Sequence, residues 1–160
     1  MLQLISIILV IYSYFLIQTS IPKLPRLIPT HYTAAGVADG WGPPGTLWVL
    51  LAAQVLTCAV FLLVPYIGRR FPGSVHFGSR RLSDFPSEQR QRLMPILNEL
   101  GGCLGVVMSV FFVYMLRQVV EQATEPVPHL YMFWPLALLL GGTVGVLLFY
   151  WVKFNQATKE

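Results

Sequence analysis

The chain has 160 residues, 55% hydrophobic and only 11% charged, with a formal net charge of +4. Soluble domains carry about 25% charged residues, so the composition excludes an ordinary soluble class and points to a membrane protein. The two cysteines, Cys58 and Cys103, both sit in apolar runs, which excludes a disulfide framework and leaves them as small interface side chains.

A helix crossing the roughly 30 Å hydrocarbon layer needs about 20 apolar residues. Four segments meet that length, at about 2–20, 46–67, 95–118 and 130–152. None alternates with period two in ten-residue blocks, so a membrane β-barrel is not expected. The expected fold is an all-α integral membrane protein, a four-transmembrane-helix bundle forming one domain over 1–160. The first segment has no Lys or Arg ahead of its apolar run. Its end, "FLIQTSIPKLP", lacks an A-x-A-like cleavage site, so a retained helix is expected rather than a cleaved signal peptide.

Between the first two spans lies "LPRLIPTHYTAAGVADGWGPPGTLW". Pro22, Pro25 and Pro29 hold the chain extended and forbid a helix between Ser20 and Thr30. Gly36 suits a tight turn, and Asp39-Gly40 is a turn signal. Thr46 is the expected N-cap of the second span, while Tyr32, Trp41 and Trp48 suit an interfacial aromatic belt. The segment therefore reads as an ordered loop on the membrane surface. Within it His31 and Asp39 are the groups with chemical potential. They fit a role in folding the loop, with the imidazole on backbone groups and Asp39 capping its own turn or pairing with Lys23 or Arg26. A metal site would need a third or fourth ligand, for which His129 is the weak candidate. No nucleophile motif surrounds Thr30, Thr33 or Thr46.

In the second span Gln54 is expected to make an interhelical hydrogen bond. The segment 68–94 carries Arg69, Arg70, Arg80, Arg81, Arg90 and Arg92. These arginines lack interleaved stacking aromatics, so contact with anionic lipid is expected and a nucleic-acid partner is not. Within "SEQRQRLMPIL" Ser87 is the expected N-cap of a short interfacial helix, kinked at Pro95 as it enters the third span. Asn98 and Glu99 are polar residues early in that span. Glu99 is expected to pair with Arg90 or Arg92 near the interface rather than to relay protons. The third and fourth spans contain the related runs "LGGCLGVV" and "LGGTVGVL". Their pairs Gly101/Gly105 and Gly141/Gly145 predict a close antiparallel hairpin crossing.

Basic residues set the expected orientation. The first loop holds only Lys23 and Arg26, the third loop has no Lys or Arg, and Lys153 and Lys159 follow the last span. Positive-inside bias places 68–94 and both termini in the cytoplasm, and loops 21–45 and 119–129 outside.

The residues Leu24, Pro25, Ile28, Pro29, His31, Tyr32, Gly36, Asp39, Gly40 and Trp41 resemble the signature of a bacterial membrane family catalogued as a domain of unknown function. That domain also forms the N-terminal part of SdpI-type proteins, which act in immunity to a secreted toxic peptide and in the associated signalling. Thr33 stands where the family usually has Asn, and Gly42-Pro43-Pro44 replaces more polar residues. The Gly-x-Arg-Thr-Pro-Trp-like stretch of the longer SdpI-type proteins does not occur in these 160 residues. The resemblance implies a multi-pass protein of the bacterial inner membrane. The functional expectation is a non-enzymatic interaction, regulatory or immunity-like module acting through the His31–Asp39 loop. Its partners would be the lipid bilayer and a membrane protein or extracytoplasmic peptide, with homo-oligomers allowed and no cofactor. The alternatives are a subunit of an oligomeric transporter or permease, and a membrane enzyme or metal-binding protein using His31 and Asp39.

Overall fold

The structure, a computed structural model, describes residues 1–77 and 80–159. Four helices are each long and apolar enough to cross a membrane: α1 Leu2–Ser20, α2 Leu47–Arg70, α3 Ser87–Gln122 and α4 Phe133–Lys159. Uninterrupted apolar sequence takes this form because a helix satisfies its backbone groups within the segment. Large apolar side chains such as Leu4, Ile8, Val49, Leu56, Leu140 and Leu148 are exposed along the helices, as suits surfaces that meet lipid chains. The four-helix reading of the sequence holds. The β-structure lies in the connections, where β1 Ile28–Tyr32 pairs with β2 Ala38–Gly42, and β3 His76–Phe77 pairs with β4 Arg80–Arg81, both antiparallel.

Helix α3 is the hub. It packs on α1, α2 and α4, and α1 also touches α2. Close approach is possible because α3 presents glycine to two neighbours. A Cβ on Gly101 would lie 2.8 Å from the Phe61 carbonyl oxygen of α2, and one on Gly102 would lie 2.9 Å from Leu2 Cβ of α1. At Gly105 a Cβ would meet Ser6 Oγ at 3.1 Å. The expected glycine-to-glycine crossing of α3 and α4 is therefore corrected. Gly141 and Gly145 have nothing within 4 Å, and α4 seats Gly142 against Val107 of α3 instead. The Gly101/Gly105 face is already occupied by α1 and α2, so it is not available to α4.

Two apolar cores stabilise the ends. At the β1–β2 end Ile17, Ile28, Leu47, Leu51, Leu116 and Val119 pack together. At the arginine-rich end Leu82, Phe85, Leu93, Ile96, Leu97 and Tyr150 do so. Helix boundaries differ slightly from expectation. Thr46 occupies the expected N-cap position of α2, but its hydroxyl donates back to the Pro43 carbonyl at 2.8 Å and makes no side-chain cap. Pro86 rather than Ser87 occupies the N-cap of α3, accepting from the Arg90 N–H at 2.9 Å. The helix then continues through Pro95 as one element of 36 residues, joining the expected interfacial helix to the span.

Candidate functional site

The β1–β2 hairpin is built around Gly36. With φ of +83° it is the one positive-φ residue among the described residues, a conformation that glycine adopts without steric cost. The turn runs from Thr33 to Val37. Thr33 N–H donates to the Val37 carbonyl at 2.8 Å, Gly36 N–H to the Thr33 carbonyl at 2.9 Å, and Val37 N–H to Thr33 Oγ1 at 3.2 Å. The Thr33 hydroxyl thus supplies the turn oxygen that an Asn side chain would supply at this position. Asp39-Gly40, expected as a turn, lies within strand β2.

The ladder carries two irregularities. Pro29 pairs with Trp41, His31 with Gly40 and Tyr32 with Ala38, with register shifts on both sides of His31. Pro29 has no N–H for the ladder, and the shifts leave Thr30 and Asp39 as extra residues. One result is a side-chain pair across the strands, His31 Nδ1 bonded to Asp39 Oδ1. Gly40 allows this approach, since a Cβ there would lie 2.8 Å from His31 Cβ. His31 and Asp39 therefore hold each other, which replaces the expected partners of Asp39, Lys23 and Arg26, and the expected backbone bonds of His31. The pair is open to solvent, with side-chain exposures of 72% and 45%.

The hairpin is latched to the α3–α4 connection. Leu130 N–H donates to the Gly36 carbonyl at 2.7 Å, Ala38 N–H to the Pro128 carbonyl at 3.3 Å, and Val37 bridges His129. His129 is accordingly a latch residue. Its N–H donates to Gln122 Oε1 at 2.9 Å, and its ring lies 4.9 Å from that of Tyr131. It does not complete a ligand set with His31 and Asp39, because no group of three His, Cys, Asp or Glu that could hold a metal occurs among the described residues. Pro29 is fully buried, while Pro25 and Trp41 are exposed. Tyr32 is half-buried, and burial pushes its phenol above the usual value. Trp48 packs on Tyr14 of α1 at 5.7 Å.

The polar residues of the helices lie elsewhere. Glu99 pairs with Lys153 of α4 at 2.5 Å, and Asn98 accepts from Gln3 of α1 at 2.8 Å. Arg92 pairs with Glu88 one turn below it at 2.9 Å, which corrects the expected Glu99 pairing with Arg90 or Arg92. Gln54 is 1% exposed, and neither of its side-chain polar atoms has a hydrogen-bond partner, so the expected interhelical bond is absent. Sequence reasoning missed the latch through 128–130 and the Glu99–Lys153 pair. A charge of each sign near the arginine-rich ends of α3 and α4 was the available signal for the second. The latch had no comparable signal, because main-chain pairing at single residues leaves no pattern.

Residues 4–55 match the family model described as a domain of unknown function, DUF1648. The match spans most of α1, the whole β1–β2 hairpin and the first part of α2, so the stretch with the most defined loop geometry is also the stretch similar to that family. Comparison with curated proteins and with solved structures found no match.

Proposed function

We propose that the protein is a multi-pass protein of the bacterial inner membrane that binds a peptide or protein partner through its β1–β2 hairpin, as an interaction, regulatory or immunity-like module of the SdpI type. In this reading the arginine-rich end faces the cytoplasm and the hairpin faces outward, as basic-residue bias directs. The observation that carries it is the latched hairpin presenting His31, Asp39 and Trp41 at its surface. A surface held by an αL glycine, a bulged ladder and two main-chain hydrogen bonds to 128–130 is preorganised, which lowers the ordering cost of association. Binding fits better than catalysis because Asp39 can orient the imidazole as in acyl-transfer triads, yet a nucleophile beside it is also needed for that chemistry.

The test is a photoreactive amino acid at position 41 in living cells. A discrete adduct with one protein or peptide that disappears in Asp39→Ala is expected. Adducts with lipid alone, or an adduct indifferent to Asp39→Ala, would refute the reading.

A further inference from the structure

At the opposite end from the hairpin, α3, α4 and the β3–β4 segment enclose a cavity of about 800 Å³. That is within the 300–1,000 Å³ typical of ligand pockets. Its walls are apolar, with Leu97 and Leu100 from α3 facing Leu147, Leu148 and Trp151 from α4. Leu148 and Trp151 are 58% and 65% exposed, so the wall opens sideways towards the surrounding acyl chains. The mouth is different. His76 and Arg80 come from β3 and β4, and Asn155 and Thr158 come from the last turns of α4. No carboxylate lines the cavity among the described residues.

The mouth is also fixed in place. Phe85 is buried and meets the Phe154 ring edge-on at 5.9 Å, which ties the segment after β4 to α4. The Arg80 guanidinium lies 5.6 Å from the centre of the Phe85 ring. The nearby acid Asp84 accepts from the Arg81 N–H at 2.9 Å, and Glu99 is paired with Lys153. Asp84 also lies within electrostatic reach of Arg80 and Arg81, so two guanidinium groups stand against one carboxylate there and the balance is positive.

An apolar slot open to lipid chains, with a cation and hydrogen-bond donors at its interfacial end, complements an anionic amphiphile. We infer that this groove is a binding site for an anionic phospholipid of the leaflet at the arginine-rich end, with an acyl chain between Leu100 and Leu147 and the headgroup phosphate beside Arg80. It is separate from the hairpin and does not depend on what the hairpin binds. The occupant is a bilayer lipid rather than a free phosphate because the apolar walls make up most of the slot.

Trp151 lines the groove, whereas Trp41, Trp48 and Trp134 belong to the hairpin end, so tryptophan quenching reads occupancy. A chain with Trp41, Trp48 and Trp134 replaced by Phe is reconstituted in phosphatidylcholine containing graded amounts of dibrominated phosphatidylglycerol. Half-maximal quenching is expected at a mole fraction about fivefold lower than with dibrominated phosphatidylcholine, the preference one cation near a headgroup provides. Arg80→Gln should remove the preference, and Arg69→Gln, an arginine outside the groove, should leave it. In the otherwise native chain, Trp151→Phe should remove the headgroup-selective component, which covers a failure of the triple variant to fold. Equal quenching by the two lipids, or equal loss from Arg69→Gln and Arg80→Gln, would overturn the assignment in favour of diffuse surface charge.

Discussion

Replacing Gly101 by alanine puts one methyl group where α3 crosses the backbone of α2. The new Cβ would sit 2.8 Å from the Phe61 carbonyl oxygen, and the obstacle is helix backbone that no rotamer change can move. The helices must part by roughly 0.7 Å to restore contact near 3.5 Å. Overpacking of this kind costs about 1–3 kcal/mol. Alanine returns about 1 kcal/mol of helix propensity over glycine, so the net loss is on the order of 1 kcal/mol. Gly141→Ala meets open space, and only the propensity gain of up to about 1 kcal/mol remains. Propensity cancels between the two variants, so their difference isolates the steric contribution, about 1–3 kcal/mol. Reversible unfolding in mixed micelles, followed by far-ultraviolet circular dichroism, measures it. If Gly141→Ala or Gly145→Ala cost as much as Gly101→Ala, α3 would be packing on α4 through paired glycines and the present arrangement would be wrong.

Gly36→Ala should cost about 2–4 kcal/mol, combining αL strain of 1–2 kcal/mol with the loss of latch hydrogen bonds at about 1 kcal/mol each. The new Cβ would collide with the Leu130 carbonyl oxygen. Hydrogen exchange at the Ala38 and Leu130 amides should accelerate, and unchanged protection would refute the latch. Gln54→Leu removes two buried atoms that lack partners, so it should stabilise by about 1–2 kcal/mol. A lower melting temperature would show that Gln54 has a polar partner. A double-mutant cycle of Glu99→Gln and Lys153→Met should give a coupling of about 0.5–1 kcal/mol, since both side chains remain partly solvated; zero coupling would dissolve the α3–α4 pair. Asp84 is held below its ordinary 3.8 chiefly by the Arg81 N–H. A depressed carboxylate contributes stability above its unfolded pKa and loses it as pH falls through the folded value. Protection of the Arg81 amide should therefore persist at pH 5, fade below 3.8 and be missing in Asp84→Ala; protection unchanged down to pH 2 would refute the bond.

The four spans were legible because hydrocarbon thickness imposes a length and an apolar content that few soluble helices share. The ordered loop was legible from its prolines and Gly36. The turn at Gly36 is where the sequence put it, but the second expected turn, at Asp39-Gly40, is strand, because the ladder slips register on both sides of His31, a cross-strand event that a local dipeptide signal does not record. That slip creates the His31–Asp39 pair. Residue type marks both members as reactive, but their contact depends on a register that local sequence does not encode. Glycine spacing misled for a related reason. Gly-x-x-x-Gly marks a face that can be approached, yet it does not name the neighbour, and α3 has three to choose from.

The glycine placement bears on how the two ends of the protein relate. α1, α2 and α3 close on one another through Gly101, Gly102 and Gly105, a cluster in which Ser6 alone, among the residues that meet those glycines, lies within the segment similar to the family, residues 4–55. α4 stands outside it, resting on α3 through Gly142 and the Glu99–Lys153 pair, and on the segment after β4 through the Phe85–Phe154 contact. The hairpin, however, is latched to 128–130, the segment that leads directly into α4. Any event that displaces the hairpin therefore pulls on the helix with the fewest packing restraints, whose far end walls the apolar groove. Trp151 fluorescence in the chain with Trp41, Trp48 and Trp134 replaced by Phe, compared with and without Gly36→Ala, reads that connection; an identical spectrum and identical lipid quenching in the two would show that the ends are uncoupled.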